Sequence, residues 1–191
     1  IDGTTQEVFE KYRVGGSLSL TTDGIKNMVK ARKTRHKKTP YLIVQFVVFK
    51  TNEHQIPEIQ KLTRQWGADA LKIKSPQLEH FENGHALMPS LDKYNRYKKE
   101  ASGKYSLKRK KNFKCQRAWN GAVISAQNKL LPCCFDKNGQ HAYGDLNQNE
   151  LNTTWHKKTT DQFIKKVWEH NPSIAMCKNC TEGLKQTWFH K

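Results

Sequence analysis

The sequence lacks an apolar run long enough to cross a bilayer. The longest such stretch, residues 41–49, is interrupted by Gln45 and falls far short of the roughly 20 residues that a spanning helix needs. No transmembrane helix is expected. The start of the sequence also lacks the charged segment and apolar stretch of a secretory signal. It begins at Ile1, so a processed chain or a fragment is expected, and the cytoplasm is the expected location. Acidic residues are scarce, 17 against 34 lysines and arginines, for a formal charge of +17. Such an excess raises the question of nucleic acid. The densest basic runs, residues 32–38 and 108–114, fall where a helix end and a connector are expected, with few aromatic rings for base stacking. A solvated basic surface is therefore the leading reading, and a polyanionic partner the minority one. Apolar residues are limited to 36%, which leaves modest material for a core that a metal staple would reinforce.

What is present begins with helical patterning. Val8, Phe9 and Tyr12 mark an amphipathic helix over residues 4–13, stopped by Gly15 and Gly16. Leu18, Ile25, Met28 and Val29 recur at helical intervals over residues 17–35, ending in a basic cluster that complements the helix dipole. Residues 41–49 are rich in β-branched and aromatic side chains and predict a strand buried on both faces. Ile56, Ile59, Leu62 and Trp66 then form a helical stripe closed by Gly67, and residues 70–74 form a second strand before Pro76. Helix, strand, helix, strand in alternation implies crossover connections and a parallel sheet, as in an open α/β fold or part of a barrel.

From residue 77 to 107 the periodicity fades, and a linker with local helix is expected. Beyond it, residues 121–126 and 129–133 flank Gln127-Asn128 and predict a small hairpin whose second strand delivers a cysteine pair. Residues 151–155 and 159–168 read as helices. The domain boundaries expected are 1–76, a linker at 77–107, and 108–191.

Five cysteines is an odd number, and without an export signal a disulfide framework is the weaker interpretation. Reduced thiols holding a metal are the stronger one. Cys177-Lys-Asn-Cys180 is a CxxC knuckle, whose spacing lets two sulfurs turn toward one centre with backbone amides close by. Cys115 before the hairpin and Cys133 at its end complete a set of four. For each of these two, a small buried hydrophobe is the competing reading. For Cys134 it is the favoured one, because neighbouring residues on a strand point to opposite faces. His141, His156 and His170 lack the spacing to replace a sulfur.

Residues 115–121, Leu131-Pro-Cys-Cys134, Tyr143-Gly-Asp-Leu146, Trp155 and Cys177-Lys-Asn-Cys180 together resemble the SPASM or shortened twitch domain of radical S-adenosylmethionine enzymes. Asp2-Gly3, Tyr12-Arg13, Gly15-Gly-Ser17, Gln45-Phe-Val-Val48 and Asn52 resemble the later strands of that family's barrel. The resemblance implies an α/β fold, the C-terminal portion of a partial (β/α) barrel followed by a small α+β domain. It implies one auxiliary 4Fe-4S cluster held by Cys115, Cys133, Cys177 and Cys180, serving electron transfer or substrate positioning. Asp2 and Arg13 become candidate cofactor-binding residues, with a helix-entry acid and a surface arginine as the plain alternatives. No catalytic residue is assigned. S-adenosyl-L-methionine and a second 4Fe-4S cluster are implied for the full-length protein, together with a flavodoxin or ferredoxin as reductant and a peptide or small molecule as substrate. The radical-based modification or oxidation would be that of an oxidoreductase.

The sequence departs from the family in lacking the CxxxCxxC loop that serves radical generation. The chain is therefore expected to be truncated and inactive by itself. The full seven-cysteine SPASM pattern is absent too, since five cysteines cannot fill it. The rival class is a zinc-knuckle protein that grips nucleic acid through its basic surface. A remnant that binds a cluster without catalysis is a third.

Overall fold

A computed structural model describes residues 1–108, 114–170, 173–180, 182, 184 and 187–190, with the side chain of residue 170 left aside. The fold is mixed α and β with small sheets, and it divides into two units. One comprises Ile1–Lys108 with Lys185–Lys191, the other Arg109–Leu184.

In the first unit, the Thr5 hydroxyl accepts the Val8 amide and starts helix α1 (Gln6–Glu10), which buries Val8 and Phe9. Ser17 does the same for α2 (Leu18–Thr34) through the Leu20 amide at 3.2 Å. Both caps satisfy amide donors that a helix start leaves open. The stripe expected on α2 is only partly covered, because Val29 is its buried residue while Met28 is exposed.

Strand β1 (Ile43–Val47) alternates rather than burying both faces. Val44 and Phe46 enter the core, whereas Ile43 and Gln45 face out, because the apolar cluster around Ile56, Ile59 and Leu71 covers a single face. Helix α3 (Ile56–Trp66) ends at Gly67, whose φ of 79° is the left-handed turn that glycine adopts without a side-chain clash. It crosses over to β2 (Ala70–Lys74), parallel to β1 with Val44 beside Leu71. The third strand, β8 (Thr187–His190), is antiparallel to β2, with Phe189 beside Leu71. The sheet order β1-β2-β8 is thus mixed. On the outer face the Lys72 ammonium lies 4.4 Å over the Trp188 ring.

Residues 77–107 hold an antiparallel hairpin of β3 (Tyr97–Lys99) and β4 (Tyr105–Leu107). Beneath it Leu78, Phe81, Met88 and Tyr97 form a small core, with the Phe81 and Tyr97 rings stacked at 4.3 Å.

The second unit opens with α4 (Arg117–Asn120) and continues into a three-stranded antiparallel sheet. Strands β5 (Val123–Ile124), β6 (Lys129–Leu131) and β7 (Gly144–Asp145) follow in order. Asn128 takes a positive φ of 58° in the β5–β6 turn, a conformation asparagine tolerates better than most residues. Helices α5 (Leu151–Trp155), α6 (Lys158–His170) and α7 (Ala175–Lys178) complete the unit. Its core joins Ala118 of α4, Leu130 of β6, Tyr143, and Ile164 and Val167 of α6. Among the described residues no helix is long and apolar enough to cross a membrane.

Candidate metal centre

Cysteine placement follows from these short elements. Cys115 lies just before α4, and Cys177 lies on α7 with its amide donating to the Ile174 carbonyl at 2.9 Å. Cys180 follows, its amide donating to the Cys177 carbonyl at 3.3 Å, so the knuckle is a tight turn. Cys133 and Cys134 sit past the end of β6 in a turn, where strand alternation was expected to divide their directions. The division arises in the turn instead: Cys134 is exposed, while Cys133 is half-buried.

One cavity of the second unit is lined by Cys115, Cys133, Cys177 and Cys180 together. Ala118, Pro132 and Val167 supply part of its apolar wall, and Arg117 and Glu182 its charged rim. Its enclosed volume is about 20 Å³, room for about one water molecule. Among the described residues no three histidine, cysteine or acidic side chains converge closely enough to hold a single metal ion.

Two of the sulfurs are engaged alike by the backbone. The Phe135 amide donates to the Cys133 sulfur at 3.4 Å, and the Glu182 amide donates to the Cys180 sulfur at 3.3 Å. In each case the donor lies two residues beyond the cysteine. Such bonds favour the thiolate, the form that ligates metal. Burial acts the other way and pushes the Cys133 thiol up to about 11, with the Phe135 amide opposing it and Cys134 and Cys180 adding to the rise.

Side chains brace the loop. Asp136, buried, accepts the amides of Gln140 and His141, both at 2.9 Å, while its own amide donates to the Cys133 carbonyl at 3.1 Å. Asp136 was not among the sequence candidates, because its pairing with amides four and five residues on depends on the path of the whole loop. Arg117 forms an ion pair with Glu182 at 3.1 Å, and its guanidinium lies 4.0 Å from the Cys134 sulfur. Tyr143 went unremarked as a site residue, yet burial, Cys133 and Cys115 all push its phenol well above the ordinary value.

The other candidates, Asp2 and Arg13, meet in the first unit. Asp2 is fully buried, and its carboxylate accepts the Arg13 Nε at 2.7 Å and the Val47 amide at 2.9 Å. Asn52 locks the same corner, donating to the Asp2 and Val47 carbonyls at 2.9 Å each. These contacts give Asp2 a structural account at the carboxyl end of β1.

Residues 115–181 match the SPASM family, an iron-sulfur cluster-binding domain. This stretch is similar to a SPASM-type domain. The match includes all four cavity cysteines, and the cofactor class of that family is iron–sulfur. An S-adenosyl-L-methionine-dependent 2-deoxy-scyllo-inosamine dehydrogenase of Niallia circulans is 30% identical over 79 residues. The alignment covers 41% of this chain and 32% of that relative. The chain thus aligns with about a third of the curated relative's length. The chain is thus similar, over part of its length, to an iron-sulfur cluster-binding domain and to an S-adenosyl-L-methionine-dependent dehydrogenase. No solved structure matches the chain.

Proposed function

We propose that the SPASM-type domain holds one auxiliary 4Fe-4S cluster through Cys115, Cys133, Cys177 and Cys180, within an enzyme that oxidises or modifies its substrate by radical chemistry. The observation that carries this reading is the cavity these four cysteines line in common. Four cysteine donors suit iron–sulfur or zinc alike, and the likeness of residues 115–181 to an iron-sulfur cluster-binding domain favours the former.

When bound, such a cluster supplies one-electron transfer. The residues present do the holding. The Phe135 and Glu182 amides stabilise thiolate at Cys133 and Cys180, the core under α4 and α6 excludes water, and Arg117 offers positive charge at the rim. Four thiolate ligands would leave no iron open, which favours electron transfer over direct binding of substrate.

The first unit fits a portion of a partial barrel. Its parallel pair β1–β2 is joined by a helical crossover, with one sheet face packed on the core and the other bearing Gln45 and Lys72. Ligands of parallel α/β folds gather at the carboxyl ends of the strands, where Asp2 and Arg13 lie. In this reading Asp2 orients Arg13, whose half-exposed guanidinium meets S-adenosyl-L-methionine or the substrate. The name of the Niallia relative favours a small polyol-like alcohol over a peptide, with a flavodoxin or ferredoxin as reductant.

Anaerobic reconstitution followed by iron, sulfide and zinc analysis tests the proposal. Four irons and four acid-labile sulfides per chain, with a brown chromophore, are expected. One tightly held zinc without sulfide would replace this reading by the zinc-knuckle one.

A further inference from the structure

The phenol of Tyr143 is the group that the site, as described, leaves without a task. It immediately precedes β7, its amide donating to the Leu130 carbonyl at 2.7 Å. The ring is buried with 9% exposure, edge-on to Trp155 at 5.9 Å and to Phe163 at 6.1 Å. It belongs to the apolar core that also contains Cys177 and has Cys115 packed against it. Its hydroxyl has no hydrogen-bond partner among the described residues. Buried hydroxyls normally have one, because losing water without replacement costs free energy.

The neighbourhood indicates what the missing partner is. Tyr143 shares its core with Cys177, and Cys115 packs against the same core, so the ring sits among two cavity cysteines that come from different parts of the chain. A neutral donor among apolar rings and thiolates can be satisfied by a sulfur acceptor.

We infer that Tyr143 is a hydrogen-bond donor to the sulfur of the bound cluster, a positioning and potential-setting residue that the metal-free fold leaves unsatisfied. The inference rests on the cluster reading above. Its chemistry is directional. Reduction adds negative charge to the cluster and strengthens a hydrogen bond to its sulfurs, so the donor stabilises the reduced form and raises the potential. It also makes holding the cluster and folding without it respond differently to the same hydroxyl.

Tyr143→Phe tests this, since it removes only the oxygen. Wild type and variant are reconstituted, analysed for iron and sulfide, and titrated by EPR-monitored reduction. Both are expected to load, and the variant is expected to show about a tenfold lower ratio of reduced to oxidised cluster at a fixed potential, equivalent for one electron to about 59 mV. An exchangeable proton coupled to the reduced cluster in wild type, detected by ENDOR, is expected to vanish in the variant. The metal-free variant is expected to be at least as stable to urea as metal-free wild type. A merely structural hydroxyl would give the opposite, a less stable metal-free variant with unchanged potential, and that result overturns the inference alone. Absence of iron and sulfide from the wild type would instead overturn the cluster reading and this inference with it.

Discussion

Gly144 lies so close to Thr154 that a β-carbon built on it would stand 2.8 Å from the Thr154 methyl. The contact joins β7 to α5, and Thr154 cannot retreat, being fully buried with its hydroxyl donating to the Glu150 carbonyl at 2.8 Å. Gly144→Ala should therefore destabilise the second unit by about 1–3 kcal/mol, the range for overpacking a dense core. Thr154→Ser removes the offending methyl and keeps the hydroxyl, so the double variant should recover most of the loss. Urea denaturation of the four proteins measures the coupling, and simple additivity would contradict the contact.

The cysteine pair gives a sharper contrast. Cys177 is buried and lines the cavity, whereas Cys134 is exposed and absent from the lining. Cys177→Ala is expected to lose most of the iron, the sulfide and the visible absorption after reconstitution. Cys134→Ala should retain them. Equal loss in both variants would mean that Cys134 takes part in ligation, displacing the assignment at the pair.

Several of these features were legible in the sequence for local reasons. Ser17 and Gly67 mark helix ends because a hydroxyl cap and a left-handed turn are short-range devices. The four cysteines could be grouped because the CxxC spacing and the family resemblance are visible along the chain, and one cavity is lined by all four. Where tertiary context decides, the pattern is silent. The apolar run containing β1 reads the same whether one face or both are covered, and only packing reveals that Ile43 and Gln45 face outward. Strand β8 pairs with residues more than a hundred positions earlier, and nothing near Trp188 announces that partner. Likewise, the unsatisfied hydroxyl of Tyr143 depends on which rings surround it. Residues 77–107 lost their periodicity because a short hairpin over a four-residue core offers too few turns of any repeat to detect.

Arg32 and Asp69 tie α2 to the loop before β2, and the pair is largely buried, at 10% and 21% side-chain exposure. The same carboxylate accepts the Leu42 amide at 2.7 Å, and the guanidinium donates to the Pro40 and Gly67 carbonyls. Because α2 buries little apolar surface, this polar junction carries much of its attachment. Asp69→Ala would take away the charge partner of Arg32 and the acceptor of the Leu42 amide, costing about 2–3 kcal/mol. Hydrogen exchange should show α2 amides opening faster in the variant, with the second unit unaffected. Uniform acceleration across both units would argue against a local junction.

The pH response of the metal-free protein tests the environment of Cys133. Its thiol is pushed up to about 11 by burial, against an ordinary value of 9.0, so the folded state holds this proton more tightly than the unfolded one. The associated stability is fully present below pH 9 and is lost as the pH rises through about 11. Urea midpoints of the metal-free protein should fall across that window, and Cys133→Ser should flatten the part of the slope due to this thiol, because serine does not titrate there. In a loaded protein Cys133 would be held as a ligand, so its share of the slope over this range is expected to be absent. A slope identical in metal-free wild type and Cys133→Ser would place the titrating group elsewhere and remove Cys133 from the buried side of the cavity.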